Sequence, residues 1–314
     1  MPAKTRVYGS SLLLLLIFVM GNAYSDEPRH TLFVLSKDKP YFNKIVNLIT
    51  ADLSSNKDFT FSVLDLNSQP KIESALEDSD IVITLGSSAA EAMLQNSQAR
   101  PLITTLITKS AFTALAEEYY KNIPKALASG VSAILLDQSF ERRLNLAHRL
   151  LPTMTDVGVM LGPLSENNTS FYTRSLKALN LQPQILLIDP DKNPIQQLDP
   201  VITKSDVFIP IVDGQLINVT TAKWILQLSY RYRVPVIGYS ANYVNAGALA
   251  SVYSSPENVA AQTSDLLKSL SDQGYKNRLY FSKYCTVKYN TTVAWYLGMK
   301  LPDDPVNDKS SCDL

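Results

Sequence analysis

Asp213 stands where an apolar, β-branched run, Val207 to Val212, breaks at Asp213-Gly214, a few residues ahead of a stretch with helical spacing. A carboxylate fixed at such a junction can meet a cationic or hydroxyl group of a bound molecule. Gly86-Ser87-Ser88 follows another apolar run and directly precedes the helical "AAEAMLQ". Free backbone N–H groups at a helix start attract anions, and the hydroxyls of Ser87 and Ser88 add hydrogen bonds to a carboxylate or phosphate. Tyr239-Ser240 follows a third run and Asn167-Asn168-Thr169-Ser170 a fourth. Brought together, these residues would form an anion-favouring pocket with a carboxylate and an aromatic ring. Each has a plainer reading: Asp, Ser and Asn are the ordinary helix N-caps, and Tyr239 can equally serve the core.

Catalysis finds less support. Two histidines exist, His30 near the N-terminus and His148 between Ala147 and Arg149 on the polar side of an amphipathic segment. A Ser-His-Asp triad would have to use His148, and "GYSAN" lacks the second glycine of a nucleophile elbow. No His/Cys/Asp cluster has metal-ligand spacing, and neither G-x-G-x-x-G nor a P-loop occurs, so no enzyme and no cofactor is expected.

The elements that would position these residues alternate. Short β-branched runs lie at 31–36, 59–66, 80–86, 101–108, 130–136, 156–162, 183–189, 206–212 and 234–240. Between most of them is room for a helix: Phe42, Ile45, Val46 and Ile49 share one helical face, and Phe140, Leu144, Ala147 and Leu151 another. This β-α-β-α order predicts an α/β protein with parallel sheets covered on both faces by helices. Nine strands exceed one small open sheet, so two Rossmann-like lobes are expected. The first crossing between them is placed near 132–137, and "SPENVAAQTSDLLKSL" opens a helix at Ser255-Pro256. The remaining tail reads as short and irregular. In such sheets, loops at the carboxyl ends of the strands line the ligand crevice.

At the N-terminus, Lys4 and Arg6 precede the apolar block Leu12 to Met20, then "GNAYS" with small residues at Ala23 and Ser25. This predicts a signal peptide, residues 1–25, cleaved after Ser25; the block is shorter than the ~20 residues of a membrane-spanning helix. Lys plus Arg and Asp plus Glu both number 29, with no long run of one sign, which argues against nucleic acid as a partner. The only cysteines, Cys285 and Cys312, are candidates for a disulfide that clips the tail of an exported protein, with a pair of unlinked thiols as the alternative.

"FERRLNLAHRLLPTMTDVGVMLGP", "DVFIPIVDGQLINVTTAKWI" and "VPVIGYSANYVNAGALASVYSSPENVA", with "YNTTVAWYLGMKLP" and "DIVITLGSSAAEA", resemble in order and spacing the ABC-transporter substrate-binding proteins of type I periplasmic binding fold. The group includes binders of aromatic amino acids. The resemblance implies a periplasmic monomer of two lobes, 26–134 plus about 254–285 and 135–253 plus about 286–314. It implies a small-molecule ligand in the cleft between the lobes and delivery to an ABC permease. A sensor of the same fold docking on a membrane signalling protein, and an exported hydrolase, are the alternatives. The resemblance puts Asp213 where it can meet a ligand amino group and Ser87 and Ser88 where they can meet its carboxylate. This sequence departs from the family pattern at Lys109-Ser110, where an Asp-Pro pair is usual, and at "GVSAILLDQ", where an N-x-T-G turn is common. Lys109 would add positive charge near the cleft and favour a more acidic ligand.

Overall fold

The computed structural model describes residues 27–312 apart from 38–39, 69–71, 96–99, 190, 214–218, 274–276 and 303–311, so the expected signal peptide lies outside the described residues. Every strand run read from the sequence is a strand. β1 to β5 are Arg29–Leu35, Phe59–Asp65, Ile81–Leu85, Leu102–Ile107 and Val131–Leu135; β6 to β9 are Asp156–Leu161, Gln182–Leu187, Val207–Pro210 and Ile237–Gly238. Three further strands follow, β10 (Ala250–Tyr253), β11 (Leu279–Tyr280) and β12 (Thr286–Tyr289). Helices α1 to α6 are Pro40–Asp52, Ile72–Glu77, Ser87–Gln95, Lys109–Tyr120, Ile123–Ala128 and Phe140–Leu150. Helices α7 to α12 are Thr169–Lys177, Pro194–Ile202, Val219–Tyr232, Ala241–Asn245, Pro256–Gln273 and Thr291–Leu297.

The first lobe is one sheet in the order β11-β5-β4-β3-β1-β2, parallel throughout. Its strands are apolar on both sides because both sides are covered. In β1, Phe33 and Leu35 join the cluster containing Ile45 and Ile49 of α1 and Leu267 of α11, whereas Leu32 and Val34 join Ala90 of α3 and Phe112 of α4 on the opposite face.

In the second lobe β7, β6 and β8 are parallel, as are β9 and β10, and β12 runs antiparallel to β10. A parallel bridge between Phe208 and Val236 joins these two three-stranded pieces. Gly158 in β6 sits where an added Cβ would come within 2.7 Å of the Phe208 ring and 2.5 Å of Ser205 Oγ, so the strands close up only around glycine.

The tail is more ordered than the sequence suggests. It returns β11 to the first sheet, β12 and α12 to the second, and Cys285 is bonded to Cys312 with Cα atoms 5.6 Å apart. Strands of two and four residues are too short to carry a readable period.

The chain therefore passes between the lobes three times, after β5, after β10 and between β11 and β12. Side chains lace the crossings together. Gln138 Nε2 donates to Ser254 Oγ (2.8 Å) and to the Tyr284 carbonyl (3.1 Å), Arg142 Nη1 donates to Gln138 Oε1 (2.7 Å), and Ser282 Oγ donates to the Leu135 carbonyl (2.7 Å).

Candidate ligand-binding site

A cavity of about 640 Å³ opens where the carboxyl ends of strands from both lobes meet, a size suited to a small organic ligand. The first lobe contributes Tyr41 of α1, Thr108 at the end of β4, and Pro256 and Glu257 of α11. The second contributes Val212 beyond β8, Tyr239 and Ser240 beyond β9, and Arg143 of α6. The crossings themselves line the floor through Leu136, Asp137, Gln138 and Ser254.

Arg143 is the most unusual of these groups. Phe140, Leu144 and Ala147 face the second core at helical spacing, and Arg143 falls on that apolar stripe. The side chain is consequently 4% exposed. Nη1 donates to the Pro210 carbonyl at 2.6 Å, the end of β8, but the buried Nε has no hydrogen-bond partner. Burial pulls the guanidinium below its ordinary pKa, opposed by Tyr172, Asp137 and Tyr239 around it. Arg143 lines the cavity, and a buried guanidinium there is suited to an anionic group, since arginine offers a planar fork that a carboxylate matches.

Asp137 is the countercharge. Its Oδ2 accepts the backbone N–H of Lys109 at 2.6 Å, the first residue of α4. Burial raises its pKa, partly offset by that hydrogen bond and by the charges of Arg143 and Lys109. Tyr239 stacks at a tilt on Tyr243, centroids 5.0 Å apart, and burial raises its hydroxyl to about 12, so it stays a neutral donor. Thus a guanidinium, a carboxylate and an aromatic wall meet in one cavity. The arrangement can hold a carboxylate and an ammonium of one small molecule.

Of the residues singled out from the sequence, Tyr239 and Ser240 line this cavity. Ser240 also caps α10 by accepting the Tyr243 N–H at 3.2 Å. The other five candidate residues, Asp213, Ser87, Ser88, Lys109 and Asn168, are not among the cavity-lining residues. Asp213 is 1% exposed, and its Oδ2 accepts the Leu164 N–H (3.1 Å) and the Ser165 hydroxyl (2.8 Å), which ties the end of β8 to the loop after β6. Its neighbour Val212 faces the cavity instead. The stretch 214–218, in which the sequence places the start of the next helix, lies outside the described residues.

Ser87 and Ser88 are exposed at the start of α3, away from the cavity wall. The helix start is served from within the protein, since Ser36 Oγ accepts the Ala89 N–H at 2.8 Å. Gly86 adopts φ +94 to allow that approach, which would bring a Cβ within 2.7 Å of Ser36 Oγ. Lys109 is exposed, with Nζ 6.0 Å from the Phe281 ring centroid; its backbone, rather than its ammonium, serves the site. Asn168 is exposed at the start of α7 and makes no side-chain cap. His148 is exposed on α6 and does not line the cavity. Among the described residues no group of three or more His, Cys, Asp or Glu could hold a metal ion, and no helix is long and apolar enough to cross a membrane.

Solved structures share this architecture. The ligand-free, open CD0873, a substrate binding protein with adhesive properties from Clostridium difficile, is 18% identical over 90% of this chain and 98% of its own, with a TM-score of 0.65. A conserved domain protein from Vibrio cholerae is 16% identical over 88% of this chain and 96% of its own, with a TM-score of 0.54. The ABC domain in complex with L-Trp from Streptococcus pneumoniae is 13% identical over the same shares, with a TM-score of 0.54. No curated protein sequence matches the chain. The fold, two parallel-sheet lobes flanked by helices, is that of the type I periplasmic binding proteins. Residues 61–288 match the family described as ABC transporter substrate binding protein, and the chain belongs to that family.

Proposed function

We propose that this protein is exported to the periplasm, captures a small molecule carrying both a carboxylate and an amino group, such as an α-amino acid, and delivers it to an ABC permease. The observation that carries the reading is the buried Arg143 guanidinium on the cavity wall, whose Nε has no partner within the protein. A ligand carboxylate would meet that guanidinium, Asp137 would accept from the ammonium, and Tyr239 with Val212 and Leu136 would cover the apolar body. The lobes that would close on it are 26–134 with about 254–285, and 135–253 with about 286–314; the membership of β11 in the first sheet and β12 in the second supports these limits. The signal-peptide pattern of residues 1–25 supports export.

A thermal-shift screen against α-amino acids, small carboxylates, sugars and nucleosides tests the reading. A ligand at ~100 times its Kd adds about 2.7 kcal/mol to stability, a rise of about 5–10 °C at this chain length. Hits confined to molecules without a carboxylate would overturn it.

A further inference from the structure

The cavity wall carries a further charged group beside the pair Arg143 and Asp137. Glu257 lines the cavity together with Tyr41 and Tyr253. Tyr41 belongs to α1 and Glu257 to the first turn of α11, whereas Tyr253 ends β10, so the three converge from both sides of the crossing at Ser254-Ser255. Their proximity is felt electrostatically. Burial raises the pKa of both phenols, and the Glu257 charge raises both further. Glu257 remains ionised, its carboxyl held below the usual range chiefly by the ammonium of Lys44, whose Nζ lies 2.5 Å from Oε1.

That ion pair is open to water, with about half of each side chain exposed. Exposed pairs contribute little, so another cation can take the place of Lys44 at small cost. A carboxylate near two phenol rings is a favourable seat for such a cation, which gains charge attraction from the carboxylate and cation–π attraction wherever it meets a ring face. The cavity walls also carry two carboxylates, Asp137 and Glu257, against one guanidinium, Arg143. This balance disfavours a ligand with an acidic tail, opposite to the expectation drawn from Lys109.

We infer that Glu257, with Tyr41 and Tyr253, selects a ligand whose far end is cationic, an amino acid or related carboxylate with a basic tail. The inference rests on the reading that the ligand carboxylate meets Arg143.

Isothermal titration with two matched pairs tests it: L-arginine against its neutral isostere L-citrulline, and L-lysine against L-norleucine. The cationic member of each pair binds about tenfold tighter or better in the unaltered protein. Glu257→Gln brings each ratio to within ~3-fold, and Lys44→Met, which removes the competing ammonium, raises it. Equal or weaker binding of the cationic members, or ratios that survive Glu257→Gln, would overturn the inference while leaving the amino-acid reading intact if Arg143→Met still weakens every member. If none of the four binds, this inference falls, and the thermal-shift screen decides the amino-acid reading separately.

Discussion

Replacing Arg143 by methionine separates ligand binding from folding, because the two consequences differ in size. Methionine fills a comparable volume without a charge. In the free protein the change removes the donor to the Pro210 carbonyl, a 2.6 Å bond inside the second lobe. An orphaned buried acceptor costs about 1–3 kcal/mol. The change also removes a buried guanidinium whose Nε has no partner, and relief of that penalty returns a similar amount. The net effect on the ligand-free protein is therefore within ~2 kcal/mol of zero, a melting shift of no more than about 8 °C in a chain of this size. Ligand binding has no such offset. A hydrogen bond to a charged group contributes about 1.5–3 kcal/mol, so Kd rises about 10- to 150-fold. Calorimetric titration of the tightest amino acid from the screen, alongside melting of both free proteins, reads the two effects separately. Arg143→Lys keeps a cation but loses the planar fork, and its Kd falls between those of the parent and the methionine variant. An affinity for Arg143→Met within ~3-fold of the parent, with the protein folded, would refute the argument that the guanidinium anchors the ligand.

Asp137 sets a pH dependence. Its folded pKa is raised by burial, so the folded protein binds more protons than the unfolded chain in the window just above the ordinary carboxylate range. This group's contribution to stability is therefore complete below the unfolded pKa and is lost as pH rises through the folded one. Relative to Asp137→Asn, the ligand-free parent gains stability on acidification through that window. Its affinity for an amino acid falls over the same window by up to about tenfold per pH unit, because the ammonium loses its ionised acceptor, and the asparagine variant shows a flat profile there. Glu257, held below the usual range by Lys44, titrates at lower pH, which keeps the two carboxyls distinguishable. Removing the disulfide with Cys285→Ala and Cys312→Ala opens a loop of sequence separation 27, worth about 3.5 kcal/mol of unfolded-state entropy, measurable by urea denaturation. Gly158→Ala forces its Cβ against Phe208 and Ser205 and lowers stability by about 1–3 kcal/mol without touching the cavity.

Parallel sheets made the fold legible. A strand buried on both faces must be apolar at successive positions, as Leu32 to Leu35 are, and such runs stand out between amphipathic helices such as α1. β10 escaped because Ala250-Ser251-Val252-Tyr253 is short and mixes polar with apolar residues, and its partner β12 lies 33 residues or more beyond it in the chain. Strand pairing over such a distance is a property of the folded sheet, not of a local pattern. Cys285 and Cys312 are the one pairing the chain allows, but whether they bond was left open by the sequence and is answered by the fold, which brings their Cα atoms to 5.6 Å.

The candidate site was only partly legible in the sequence. Among polar residues at carboxyl ends of strands, Tyr239 and Ser240 line the cavity, whereas Asp213 accepts from the Leu164 N–H and the Ser165 hydroxyl. Polar type at a strand end does not distinguish a group that faces a ligand from one that closes a loop, since both satisfy the same unpaired N–H groups. The more specific signal lay inside α6. Phe140, Leu144 and Ala147 define an apolar stripe, and Arg143, three residues after Phe140 and four before Ala147, interrupts it. A charged residue on the buried face of an amphipathic helix must find a partner or carry a large penalty. Arg142 beside it satisfies that demand within the crossing, donating to Gln138 and the Ser282 carbonyl. Arg143 bonds the Pro210 carbonyl through Nη1 and leaves Nε without a partner, and the same side chain lines the cavity where a ligand would complete the core.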